Sequence, residues 1–303
     1  MFLPLLAAGG AALVAGYFLA PKPYVELALK LQRRAAGLAT RETVVDGHRL
    51  VYGDGGHGEP LLMLHGFGAT RDNFLLLARE LTPHFRVITP DLPGYGDSDR
   101  RPEAAYTLEA QLARIEAFAA ALGLERFHLA GNSMGGYLAA HYARLHPDCV
   151  KSLWLIAPAG VTTATPSEVF AAIARGENPL LVRDEADFDR IVDLCFVHPP
   201  YTPKQFRKVF AQRSMRNAAF HAELFRQLFE SALPFESSLQ GLPVKTLVTW
   251  GERDRILDAS GAAILHALIP GSELHLMPDT GHVPMLEQPR ATAARFLAFQ
   301  RGS

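Results

Sequence analysis

The chain has 303 residues, 49% of them hydrophobic and 20% charged, with a formal net charge of −1. That length can bury a full-sized core, as one domain with a large insertion or as two domains, and the near-neutral charge leaves no electrostatic footprint for nucleic acid. Cys149 and Cys195 are the only cysteines, which excludes a disulfide framework, and no Cys/His cluster has metal-ligand spacing, so neither a metal nor a cofactor is expected.

Residues 2–20 carry no charge. As a helix rising about 1.5 Å per residue this run would span about 28 Å, close to the hydrocarbon thickness of a bilayer. No Lys or Arg precedes it, and no small-x-small pattern closes it where Phe18, Leu19 and Pro21 stand, so it fits a cleaved signal peptide poorly. Gly9, Gly10 and Gly16 make it a weak soluble helix and leave room for a shallow insertion. The expectation is a membrane anchor over residues 1–22. Lys22, Lys30, Arg33 and Arg34 follow it, and the positive-inside rule then puts the rest of the chain on the cytoplasmic side. Residues 23–41 read as a juxtamembrane helix, in which Glu26 and Lys30 are spaced to pair.

Residues 42–56 read as two strands around an Asp46-Gly47 hairpin signal. Short apolar runs at 61–64, 85–89, 127–130, 153–157, 244–250 and 274–277 then alternate with helical patterns near 70–81, 108–122, 134–146, 260–268 and 291–299. This alternation, with continuously apolar strands, predicts an α/β fold whose mostly parallel sheet is covered on both faces. The expected core covers residues 42–158 and 243–303. Residues 159–242 contain no convincing strand and read as a helical cap, with helices over 185–196, 202–217 and 219–233.

The stretch "HLAGNSMGG" places Ser133 between Gly131 and Gly135, after an apolar strand and before a helix. That is the context of a nucleophile elbow, where a sharp turn holds one hydroxyl clear of the sheet and a helix N-terminus behind it favours negative charge. A serine nucleophile also needs a base, an orienting acid and an oxyanion site. His282, just past the last strand, is the candidate base; His141 and His146 lie on the helix after the elbow, and His65 belongs to a different loop. Asp254, just past the strand at 244–250, is the candidate acid, with Asp258 and Asp279 as rivals. The backbone N–H groups of Phe67, in the loop His65-Gly66-Phe67-Gly68, and of Met134 can converge on a developing oxyanion. No phosphate or dinucleotide loop is present.

Taken together, His65-Gly66-Phe67-Gly68, "DLPGYGDS" (91–98), "GNSMGG", "WGERD" and "GHVPMLEQP" resemble the α/β-hydrolases, from about residue 43 to the C-terminus. Within that superfamily the chain is similar to bacterial membrane-associated lipases and esterases and to monoacylglycerol lipases. The resemblance implies the α/β-hydrolase fold with a helical cap, a Ser133–His282–Asp254 set that cleaves lipid-like esters without a cofactor, and a bacterial inner-membrane location. It leaves open a general short-chain carboxylesterase and the hydrolases that cleave carbon–carbon bonds of aromatic ring-fission products. The latter share "GNSMGG" but usually carry Trp after the histidine, where this chain has Val283. Haloalkane dehalogenases and epoxide hydrolases are disfavoured, because their nucleophile is an aspartate.

The cap is rich in large apolar residues, among them Leu180, Leu181, Phe188, Phe196, Phe206 and Phe210. Part of them must form the cap's own core, and the remainder can line an acyl pocket. Lys204, Arg207, Lys208 and Arg213 form a basic helix face, read as solvated, with contact to anionic lipid as the sharper alternative.

Overall fold

A computed structural model describes residues 16–302. The anchor expected over residues 2–20 lies for the most part outside them. Residues 16–19 are helical, and among the described residues no helix is long and apolar enough to cross a membrane.

Helix α1 (Lys22–Ala35) opens after Pro21 and stops at Gly37, whose φ of 72° only glycine adopts freely. It is shorter than the helix expected over 23–41, because residues 38–41 already pair in strand β1 (Leu38–Val45). Its ion pair is Lys22–Glu26, at 3.8 Å, rather than Glu26–Lys30. Strand β2 (His48–Gly56) follows a two-residue turn in which Asp46 (φ 49°) and Gly47 (φ 70°) both sit in the left-handed region, the geometry for which Asp-Gly is suited. Strand β3 (Glu59–Leu64), a 3₁₀ turn (Arg71–Phe74), α2 (Leu75–Leu81), β4 (Phe85–Pro90), α3 (Leu108–Ala121), β5 (Phe127–Ser133), α4 (Met134–Leu145) and β6 (Val150–Pro158) come next.

Between β6 and β7 the chain adds helices α5 (Glu168–Ala174), α6 (Glu185–Cys195), α7 (Lys204–Glu230) and α8 (Phe235–Ser238). The two helices expected over 202–233 are one helix of 27 residues, since no Gly or Pro interrupts residues 204–230. The core resumes with β7 (Thr246–Gly251), α9 (Ser260–Leu268), β8 (Glu273–Met277), α10 (Pro284–Glu287) and α11 (Pro289–Arg301).

The eight strands form one sheet in the order β1-β2-β4-β3-β5-β6-β7-β8. Only the β1–β2 and β2–β4 pairs are antiparallel. Apolar side chains of β3, β5 and β6 point alternately to two cores. Leu62, Leu64, Leu129 and Leu155 meet α3, α4 and α9 on one face, while Leu61, Met63, Trp154 and Ile156 meet α2 and α11 on the other. Trp154 stacks on Phe296 of α11 at 4.3 Å between ring centroids. With six parallel strands in one sheet, the C-terminal ends of β3, β5, β7 and β8 share one edge, where ligands of such sheets bind.

Candidate active site

Ser133 ends β5 with φ 55° and ψ −119°, a conformation that non-glycine residues avoid. Surrounding backbone imposes it. A Cβ on Gly131 would strike the Gly135 and Gly136 backbone, and one on Gly135 would strike the carbonyls of Leu64 and His65, so the turn closes only with glycine at both places. The N-terminus of α4 begins at the next residue, Met134.

His282 Nδ1 lies 2.7 Å from Asp254 Oδ2, with both side chains almost wholly buried. The other carboxylate oxygen of Asp254 accepts the N–H groups of Ile256 (2.8 Å) and Leu257 (2.9 Å), which fixes its rotamer. A carboxylate on Nδ1 holds the ring in the tautomer that leaves Nε2 free to take a proton. The two rivals are engaged elsewhere. Asp258 accepts the Ser260 N–H at 2.9 Å at the start of α9, and Asp279 pairs with Arg253 on the surface.

The loop after β3 is braced by His65. Leu92 N–H donates to its Nε2 at 3.0 Å, so Nδ1 carries the proton and donates to the Gly66 carbonyl at 2.8 Å. Ala69 N–H bonds the same carbonyl. Holding that oxygen fixes the peptide plane whose opposite end is the Phe67 N–H. Burial pushes the His65 pKa down, which keeps the ring neutral for both bonds. Gly66 stands beside Ser133: a Cβ built on it would lie 3.2 Å from the serine Cβ. The Met134 side chain accepts from the Tyr95 hydroxyl at 3.3 Å, and Tyr95 also meets the Phe67 ring edge-on at 6.0 Å. Both expected oxyanion residues therefore rest on Tyr95.

Ser133, His282, Gly66 and Phe67 line one cavity of about 520 Å³. Leu180, Leu181, Phe188 and Ile191 form an apolar wall from the insertion, and Phe206 and Phe210 of α7 another. His141, on α4, packs against Tyr137 and Phe235, where burial lowers its pKa to about 4. Among the described residues no group of His, Cys, Asp and Glu could hold a metal ion.

Several participants escape a reading of the sequence. Asn132 Nδ2 donates to the carbonyls of Ile156 (3.0 Å) and His282 (3.1 Å), tying the elbow to the histidine loop across 150 residues. Its place inside the serine motif is the only signal of that role. Ala28, Leu29 and Gln32 of α1 line the cavity, and Val25 is buried; the four share one helix face by their i, i+3, i+4 and i+7 spacing, but the target of that face is not legible in the sequence. Arg33, one of the basic residues that follow the uncharged run, forms a bidentate pair with Asp72 at 2.8 and 2.6 Å. Two arginines of the basic face of α7 are paired as well, Arg207 with Asp189 and Arg213 with Asp97. His221 of α7 also lines the cavity, against Phe67 and Tyr95, and burial lowers its pKa to about 4.

With this geometry in view, residues 59–289 match the alpha/beta hydrolase fold family. The chain belongs to that family. Lipase 1 of Psychrobacter immobilis is 36% identical over 262 residues, 85% of this chain and 82% of that one. Monoacylglycerol lipase ABHD6 of Homo sapiens is 28% identical over 302 residues, covering 95% of this chain and 90% of its own. The crystal structure of a membrane phospholipase A, described as a bacterial virulence factor, is 40% identical with a TM-score of 0.92, over 99% of this chain and 98% of that one.

Proposed function

We propose that the chain is a serine hydrolase of lipid-like carboxylic esters, with monoacylglycerols and medium- or long-chain acyl esters as its substrate class. The observation that carries this reading is the His282–Asp254 pair opening, with Ser133, into one largely apolar cavity. The lipases and the phospholipase among its relatives support it.

Ser133 Oγ attacks the ester carbonyl while His282 Nε2 takes its proton and Asp254 holds the ring. The N–H groups of Phe67 and Met134 bind the tetrahedral oxyanion, each worth about 10²–10³ in rate. His282 then protonates the leaving alcohol, and water activated by the same ring frees the serine from its acyl ester. Residues 42–158 and 243–303 act as the catalytic core and residues 159–242 as a cap that supplies the acyl wall.

The protein works at a membrane in this proposal, with its catalytic part on the cytoplasmic side of a bacterial inner membrane. Support comes from the uncharged run at residues 2–20 and from Phe18, Leu19, Leu27 and Leu31, large apolar side chains exposed on the N-terminal helical segments beside the cavity wall. Removal of residues 2–20 together with charge-introducing substitutions at Leu27 and Leu31 is expected to abolish flotation with anionic vesicles while sparing turnover of a short soluble ester. Unchanged flotation would refute this surface.

The reading is tested by an acyl-length series, from p-nitrophenyl butyrate to long-chain monoacylglycerols, with the wild type and Ser133→Ala. Serine-dependent turnover that rises toward longer chains is expected. Turnover confined to the shortest esters would make the protein a general carboxylesterase, and none on any ester would direct the test to a ring-fission dienoate.

A further inference from the structure

Cap and catalytic histidine meet at one carboxylate that the mechanism above does not use. Glu287 closes α10, five residues past His282. Its Oε2 accepts the N–H of Gly281, in the histidine loop, at 2.8 Å. Its Oε1 accepts two N–H groups of the cap, Val197 at 3.0 Å and His198 at 2.6 Å. One bond runs back the other way: His282 N–H donates to the carbonyl of Cys195, the last residue of α6, at 2.8 Å. The seat is tight, since a Cβ on Gly281 would overlap that Cys195 carbonyl.

The cap segment held in this way continues into the cavity wall. Cys195, Phe196, Pro200, Tyr201 and Pro203 all line it, and Tyr201 is among the most exposed large apolar side chains of the protein. Asp254 and Asn132 fix His282 from the core side, through its ring and its carbonyl. The backbone N–H of His282 is fixed from the cap.

We propose that Glu287 is a positioning residue that makes the alignment of His282 conditional on a seated cap, so that displacement of the 195–203 segment reaches the base directly. This rests on His282 being the base and Ser133 the nucleophile. Only a carboxylate suits the place: it offers acceptors on both oxygens, whereas the amide nitrogen of a glutamine would face an N–H donor on one side. A base moved by about 1 Å can cost on the order of 10²-fold in rate.

The test uses the full chain and p-nitrophenyl butyrate, an ester too short to need the acyl wall. Glu287→Gln is expected to lower kcat roughly 10- to 100-fold with KM within about twofold, and to slow fluorophosphonate labelling of Ser133 by a similar factor. Glu287→Asp should recover part of both. Val197→Pro removes one cap N–H without touching the histidine loop, and the extended Phe196 before it (φ −122°, ψ 144°) accepts a following proline; it should shift kcat in the same direction. If Glu287→Gln fails to fold, Val197→Pro carries the test. Retained kcat and labelling in either folded variant, with only a lower melting temperature or a higher KM, would overturn the proposal. Ser133→Ala separates the two layers: if that variant still turns over the ester, the underlying assignment of nucleophile has failed rather than the role of Glu287.

Discussion

Among the described residues a second serine, histidine and carboxylate stand together, and it is the proposed set, Ser133, Asp254 and His282, that faces the cavity. Besides Ser133, Asp254 and His282, the ring of His128 bridges Ser152 Oγ (2.8 Å) and Glu59 (2.8 Å) near the opposite edge of the sheet. Ser152 is buried, lies on strand β6, and its hydroxyl accepts from Gln300 at 2.7 Å. It has neither a strained turn to present it nor a cavity to present it to. Ser152→Ala should therefore leave ester turnover unchanged and cost about 1–2 kcal/mol of stability, measured by urea unfolding. At the acid, Asp254→Asn should drop kcat by about 10⁴, because it disturbs the tautomer that the carboxylate imposes, while Asp258→Asn changes kcat less than about threefold. A dead Asp258→Asn beside an active Asp254→Asn would reverse the assignment.

Among the elements, the cap is joined to the core by charge as well as by Glu287. Arg71, buried on the 3₁₀ turn, bonds Asp91 and reaches Asp97 at 2.7 Å, and the other oxygen of Asp97 accepts from Arg213 of α7 at 3.1 Å. Burial would raise the Asp97 pKa, but the Arg71 hydrogen bond and the charges of Arg71, Arg213 and Arg33 outweigh it and leave it lowered. A depressed carboxylate contributes its stability above its ordinary value, near 3.8, and loses it only as pH falls through the lower folded value. The latch should accordingly survive mild acid. Asp97→Asn should loosen α7, read as faster amide exchange over residues 204–217 at pH 7, with the sheet unaffected. On the far side of the sheet, Phe296→Ala removes a fully buried ring stacked on Trp154 and is expected to cost about 3–5 kcal/mol.

For the whole molecule, buried histidines set the acid limit. His65, His128, His141 and His221 all have pKa values lowered chiefly by burial, the last two to about 4. A histidine lowered in the folded state is protonated more readily in the unfolded chain, so its contribution is complete above the ordinary value of 6.5 and is lost as pH falls toward the folded value. The His141 shift alone corresponds to about 3 kcal/mol. Melting temperature should hold from pH 8 to about 7 and fall steadily between about pH 6.5 and 4. His141→Phe should flatten that slope, and an unchanged slope would show that the ring is not buried neutral.

The alternation of strands and helices, the Asp46-Gly47 turn and the elbow backbone at Ser133 could all be read directly from the residues. Each is local: a period of two or 3.6, a turn chemistry, or a glycine pair that one short segment requires. Lost from that reading was whatever depends on where a face lands. The helix of α1 was visible, yet only packing turned Ala28 and Leu29 into cavity wall and Arg33 into the partner of Asp72. Residues 202–233 read as two helices, and only the fold showed residues 204–230 as the single helix α7. Three aspartates stood near the right place, and the choice among them rested on which one reached a histidine 28 residues further on. Glu287 looked like one more charge in a motif until the cap laid two amide groups against it. Contacts between distant segments carry no local signature, because the same side chain can satisfy its chemistry with water until the fold withdraws the water and supplies the partner.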